Sequence, residues 1–158
     1  MRASIALFGL AVACASAGGF LWTLTSTAQD TDVRLRPDDA AVVAAGERTY
    51  VAQCAVCHGP NLEGQDDWRR PGPDGKLPAP PHDETGHTWH HDDATLFRLT
   101  KHGLAQMLGP DSKYQSNMPA YEGVLSDGDI IAVLSFIKSR WPVDVRARHD
   151  ALNERAKR

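Results

Sequence analysis

Cys54-Ala55-Val56-Cys57-His58 is the most specific chemical signal in this chain. Two thiols three residues apart, followed at once by a histidine, form the C-x-x-C-H motif at which c-type haem is attached. Each thiol can add to one haem vinyl group, and the imidazole of His58 then lies where it can bind the iron. The motif occurs once, so the sequence predicts one covalently attached haem c.

Two other chemistries use a pair of cysteines at this spacing, namely zinc sites and redox dithiols. The third cysteine, Cys14, lies in the N-terminal leader, so histidines would have to complete a zinc site. A thioredoxin-like dithiol begins the helix of a βαβ unit, and the sequence shows no alternation of strands with helices. The sequence therefore favours haem attachment over both.

The N-terminal segment predicts export from the cytoplasm. Residues 3–24 carry no charge, follow Arg2 and include Trp22 near their outer end. The small residues Ser26-Thr27-Ala28 offer a cleavage site before Gln29, yet the uncharged run is also long enough to span a bilayer. We expect residues 1–28 to be a signal peptide or an uncleaved membrane anchor, and we favour the anchor. Residues 29–38 are polar and resemble a linker.

The charge distribution excludes some partners. The chain has 17 Lys and Arg against 20 Asp and Glu, and no basic stripe with interleaved aromatic residues, so nucleic-acid binding has no support. Residues 138–158 differ, with seven basic side chains against three acidic ones. We interpret residues 143–158 as a basic polar tail in a solvated helix; a docking patch for an acidic partner or an anionic lipid is the alternative.

Helix caps and apolar spacing predict a small, all-α, loop-rich domain without strands. A first helix follows Asp38 or Asp39 and runs to about residue 53, with Gly46 and Tyr50 on one face. A second covers 94–101 after Asp92 or Asp93, and a third covers 127–138, opened by a capping box at Ser126-x-x-Asp129. Between them, residues 59–88 contain six prolines and five glycines, which predicts a loop that wraps a large rigid ligand.

Met118 is the candidate for a second iron ligand. It stands in Asn117-Met118-Pro119-Ala120-Tyr121, where the proline fixes the backbone directly after it. A thioether ligand favours reduced iron and raises the potential. Met107 lies in a locally apolar stretch, where packing explains it, and a histidine or an open position is the remaining alternative.

The two motifs, in this order and with helices at both ends, resemble the class I cytochrome c family over roughly residues 40–141. The resemblance implies one domain over 39–142, in which the first helix crosses the last near Val133 and Phe136. It implies thioether bonds at Cys54 and Cys57, His58 and Met118 as axial ligands, and a proline carbonyl, from Pro80 or Pro81, bound to the His58 imidazole. It also indicates a membrane-associated bacterial type, on the periplasmic side of the inner membrane.

Histidines crowd the middle of the chain more than a haem pocket requires: His82, His87, His90, His91 and His102. The simpler explanation is that these histidines are polar surface residues, one or two of which donate a hydrogen bond to a haem propionate. The alternative is an extra copper or zinc site. We expect Trp89 to pack on the haem edge or to bind a propionate through its indole N–H.

These features predict an electron carrier between unknown redox partners, alone or as the electron-transfer subunit of an oxidoreductase complex. With both axial positions filled, no site is left for a substrate. The alternatives are a five-coordinate haem sensor or peroxidase-like protein, and a metal-handling protein that uses the histidines.

Overall fold

A computed structural model describes residues 33–109 and 111–158, so the predicted leader, 1–28, and residues 29–32 of the predicted linker lie outside the described residues. The described residues form helices and contain no strand, as predicted. The α helices are α1 (Ala40–Gln53), α2 (Ala55–His58), α3 (Asp93–His102), α4 (Leu104–Leu108), α5 (Asp127–Ser139) and α6 (Val143–Ala156), with one 3₁₀ turn at Thr88–His90.

The crossing of α1 and α5 forms the centre of the fold. A Cβ atom placed on Gly46 would lie 1.9 Å from the carbonyl oxygen of Ala132 and 2.9 Å from the Cβ of Phe136. Only glycine therefore allows the two backbones to approach this closely. One turn further along α1, the fully buried Tyr50 packs its ring 5.4 Å from that of Phe136. The predicted crossing is confirmed.

The predicted caps are confirmed at the starts of the three longer helices that the sequence indicated. Asp39 accepts hydrogen bonds from the backbone of the first turn of α1, and Asp92 accepts one from Thr95 N at the start of α3. Ser126 and Asp129 form a reciprocal capping box at the start of α5. These caps satisfy backbone N–H groups that have no partner within their own helix. The observed helix ends differ from the predicted ones by one residue or less.

The loop between α2 and the 3₁₀ turn folds back on itself. Gln65 and Ala79 are joined by two hydrogen bonds of 2.9 Å, one through the Gln65 side chain, and His82 N donates to Leu62 O at 2.7 Å. Residues 66–78 therefore form a single loop that is closed by the hydrogen bonds between Gln65 and Ala79. Leu62 is buried beneath it, in the hydrophobic core.

The C-terminal segment is helical, as expected, but it is not wholly solvated. Val145 is buried and His149 has no exposed surface, so α6 presents one face to the domain. His149 Nε2 lies 2.8 Å from the His91 carbonyl, which can only accept, so this nitrogen donates. The sequence of α6 gave no apolar stripe from which this docking could be recognised.

A buried polar cluster joins α6 to the start of the described chain. Asp93, 5% exposed, accepts hydrogen bonds from Leu35 N at 2.9 Å and from the Asn153 side chain at 3.1 Å. Lys138, 4% exposed, pairs with Asp150 of α6 at 2.7 Å. Each buried charge thus has a partner, as burial requires.

Within 33–109 and 111–158, no helix is long and apolar enough to cross a membrane. The predicted anchor, residues 3–24, falls outside these ranges.

Candidate functional site

The Cys54–His58 motif sits at a corner between two helices. Cys54 ends α1, and the next four residues form the single turn α2, which the sequence did not reveal because it is so short. The buried Tyr50 fixes this corner, since its hydroxyl donates to the carbonyl of Gly59 at 2.8 Å and also contacts that of His58 at 3.3 Å. One face of α1 therefore determines the position of the motif.

Both cysteines of the motif are free thiols. Cys57 is exposed and Cys54 is partly buried. Burial and the neighbouring Cys57 raise the pKa of Cys54 to about 11, so its thiol is protonated at neutral pH.

His58 is held in a single orientation and tautomer. Its ring Nδ1 lies 2.8 Å from the carbonyl oxygen of Pro80. Because a carbonyl only accepts, Nδ1 carries the proton and Nε2 keeps a free lone pair. Burial lowers the pKa of His58, which keeps the ring neutral. Pro80 rather than Pro81 is thus the acceptor, and His58 is prepared as a metal ligand.

Gly64 allows the Pro80 carbonyl to reach His58. It has a φ of +71°, and a Cβ atom on it would lie 2.4 Å from the backbone nitrogen of Pro81. Its own N–H donates to the His58 carbonyl at 2.8 Å. A side chain at this position would push the two prolines away from the imidazole.

His82 is a member of this site that sequence reasoning assigned to the surface. Its ring stacks on that of His58, with centroids 4.0 Å apart. Its Nδ1 lies 2.6 Å from the Thr88 hydroxyl, and its carbonyl accepts a 2.7 Å bond from the Trp141 indole. Burial and the adjacent His58 hold its pKa well below the usual value. Its place two residues after Pro80 was the one available signal.

The loop that contains Met118 is brought against the Cys54–His58 motif. The Tyr121 hydroxyl donates to the carbonyl of Gln53, directly before Cys54, at 2.9 Å. The backbone N–H groups of Tyr121 and Glu122 donate to the last carbonyls of α3, those of Thr100 and Lys101, at 3.1 and 2.8 Å. Burial and the nearby cysteines raise the pKa of Tyr121. Tyr121, more than 60 residues after both cysteines in sequence, therefore lies close to them in the structure.

The two methionine candidates differ in their surroundings. Met118 is partly buried, and its N–H donates to the Ser116 hydroxyl at 3.0 Å. Met107 lies on α4, a helix with no buried residue, and is 38% exposed. The apolar neighbours of Met107 in the sequence suggested that it packs in the protein interior, but its side chain is exposed among the described residues.

The remaining histidines do not form a recognisable metal centre. The centroids of the His90 and His91 rings lie 5.3 and 4.8 Å from that of His87. Burial, and after it repulsion from neighbouring histidines, lowers the pKa of His87 and of His91. Throughout the described part of the chain, no group of three or more His, Cys, Asp or Glu side chains could hold a metal ion.

Only one of the two roles predicted for Trp89 can be judged from the structure. Its indole N–H donates to the Glu84 carbonyl at 3.2 Å and its ring stacks on His90 at 3.7 Å, so this N–H is already used within the protein and does not await a propionate. Packing of Trp89 on the haem edge stays a prediction.

The residues of this site fit a covalent haem. Two free thiols, one neutral imidazole with an available Nε2 and one thioether are the donors that such a group uses.

Comparison with known proteins identifies the family. A sequence model described as Cytochrome c matches residues 43–141, more than half of the 158-residue chain. Neither the curated proteins nor the solved structures gave a match. Together with the all-helical fold, the match shows that this chain belongs to the cytochrome c family, whose members bind haem c covalently and exchange electrons with redox partners.

Proposed function

We propose that this chain is a class I, single-haem cytochrome that transfers one electron at a time between redox partners outside the cytoplasm. Haem c, when bound, supplies a one-electron iron couple. The observation that carries the proposal is the 2.9 Å hydrogen bond from Tyr121 to Gln53, because it ties the Met118 loop to the chain just before Cys54. It supports a site with one protein ligand from each motif.

Each residue of the site has a distinct role in this proposal. Cys54 and Cys57 would form the thioether bonds to the haem, and His58, through Nε2, and Met118 would hold its iron. Pro80 fixes the imidazole ring through its 2.8 Å hydrogen bond. With His58 and Met118 both on the iron, no coordination site would be left for a substrate. The protein would then be an electron carrier, acting alone or as the electron-transfer subunit of an oxidoreductase complex.

The contribution of the protein is to keep these ligands still. Tyr50 fixes the motif, and two backbone hydrogen bonds fix the chain after Met118 to the end of α3. A ligand set that does not rearrange when the charge of the site changes lowers the cost of each electron transfer.

Substitution of the proposed distal ligand tests the function. Met118→Ala in the full-length holoprotein should retain covalent haem but lose the weak red absorption band of methionine-ligated ferric haem. Its reduction potential should fall, because the soft thioether no longer favours ferrous iron. Its ferrous form should also bind carbon monoxide.

Met107→Ala is the matched control and should leave the spectrum and the potential unchanged. If Met107→Ala alters both and Met118→Ala alters neither, the ligand assignment is wrong. Ready binding of carbon monoxide by the unaltered protein at neutral pH would instead indicate a five-coordinate sensor or peroxidase-like protein.

The proposed location rests on residues 3–24, which carry no charge and suit export and anchoring. In a bacterial host that matures c-type haem, we expect the protein in the inner-membrane fraction, facing the periplasm and released by detergent but not by salt. Recovery as soluble periplasmic protein would show that the leader is cleaved, and recovery in the cytoplasm would refute export.

A further inference from the structure

A turn in the long loop, residues 72–76, is closed by its own hydrogen bonds. Gly72 N donates to Lys76 O at 2.8 Å, and Gly75 N donates to Gly72 O at 2.9 Å. Lys76 N donates to Asp74 Oδ1 at 3.0 Å. The carboxylate of Asp74 and the side chain of Lys76 therefore start from a fixed backbone.

Both side chains bind Asn117, the residue before Met118. The Lys76 ammonium donates to Asn117 Oδ1 at 2.6 Å, and Asn117 Nδ2 donates to Asp74 Oδ2 at 3.2 Å. A flipped amide would place like groups together, so the orientation of the amide is defined. The bonds from Lys76 N and Asn117 lower the pKa of Asp74 and keep it ionised. We call these three side chains the Asn117 clamp.

The Asn117 clamp fixes the N-terminal side of the Met118 loop, and other hydrogen bonds fix its C-terminal side. On the C-terminal side, Tyr121 and Glu122 are bound to the end of α3, and Tyr121 is also bound to Gln53. On the N-terminal side, Asn117 is bound to a turn that lies more than 40 residues away in sequence. Met118 lies between these two attachments, with Pro119 further restricting the backbone.

We propose that Asp74, Lys76 and Asn117 are positioning residues that hold Met118 in place as an iron ligand and oppose its replacement by other ligands. This inference rests on the proposed function, since it requires that Met118 bind the iron. When both ends of this short loop are fixed, Met118 has less conformational freedom to lose when it binds the iron. Without the clamp, Met118 is tethered on one side only and leaves the iron more often.

The test exchanges the two groups that face each other across the clamp. In full-length holoprotein, Asn117→Asp places two carboxylates together, and Asp74→Asn places two amide NH₂ groups together. The double variant D74N/N117D restores a donor opposite an acceptor and leaves both bonds from Lys76 intact. Gln115→Glu, an exposed position in the same loop, controls for the added negative charge.

The measurement is the affinity of the ferric protein for imidazole, which competes with Met118. Each single variant should bind imidazole about two- to fivefold more tightly, the factor expected for one exposed charged hydrogen bond. The double variant and Gln115→Glu should match the unaltered protein. In a Met118→Ala background the clamp substitutions should have no effect, because no ligand remains to be positioned.

Four results would overturn the inference. If Asn117→Asp and Gln115→Glu behave alike, or the double variant fails to recover, the clamp does not position the loop. If the clamp substitutions still change imidazole affinity without Met118, they control access and not ligation. If Met118→Ala leaves the spectrum of the holoprotein unchanged, the ligand assignment fails first, and the positioning role fails with it.

Discussion

Replacement of Gly46 by alanine tests the central packing of this fold. The added Cβ would lie 1.9 Å from the Ala132 carbonyl oxygen, whereas favourable contacts between heavy atoms begin near 3.5 Å. The obstacle is backbone, so α1 and α5 must separate by about 1 Å or more, which also loosens the contact between Tyr50 and Phe136. Overpacking of a core costs about 1–3 kcal/mol, and a rigid obstacle places this site at the upper end.

Alanine also has an intrinsic advantage over glycine in a helix of about 1 kcal/mol, which offsets part of this cost. We therefore expect Gly46→Ala to lower the free energy of unfolding by about 2 kcal/mol. Urea unfolding of the holoprotein, followed by circular dichroism, should show a lower midpoint with an unchanged slope.

Gly128→Ala in α5 is the matched control. Its new Cβ would meet nothing closer than the Ser126 hydroxyl at 3.7 Å. Only the helix propensity changes there, so this variant should be as stable as the unaltered protein or up to about 1 kcal/mol more stable. A Gly46→Ala variant as stable as Gly128→Ala would refute the argument that backbone contact requires glycine.

Three further predictions concern stability. Ser126→Ala removes the capping box of α5 and should cost about 1 kcal/mol in urea unfolding; no loss would show that the box is not energetically important. Gly64→Ala forces alanine to a φ of +71° against Pro81 and should cost about 2 kcal/mol or more, whereas an unchanged midpoint would show that the loop adjusts freely. Burial and Lys138 lower the pKa of His149, so the unfolded chain binds more protons and stability should fall as the pH falls below about 6.5. Because His82, His87 and His91 also have lowered pKa values, His149→Gln should reduce that dependence without abolishing it in urea midpoints measured across this range, and an equally steep dependence would contradict the assignment.

The features that the sequence predicted correctly depend either on neighbours along the chain or on the family resemblance. Asp39, Asp92 and Ser126 cap helices through backbone groups two or three residues away, so their role can be read locally. The crossing at Gly46 and the proline acceptor of His58 followed from the family resemblance, and both are present in the structure.

The features that the sequence did not predict depend on distant contacts. His82 stacks on His58 because the loop folds back, and only its place two residues after Pro80 separates it in sequence from the other histidines. The docking of α6 depends on single polar contacts, such as His149 with the His91 carbonyl, and not on an apolar stripe. The Asn117 clamp likewise joins two polar loops that carry no periodic signal.

The carboxylate of Asp93 binds both ends of the described chain, Leu35 on one side and Asn153 on the other. These partners are 58 and 60 residues away, and α6 is synthesised after every other described helix. A nascent chain that ends at residue 141 contains the whole family-matched segment but leaves Asp93 and Lys138 without Asn153 and Asp150. The packed unit in this structure is therefore longer than the segment that matches the family, because α6 supplies partners for two buried charges of that segment.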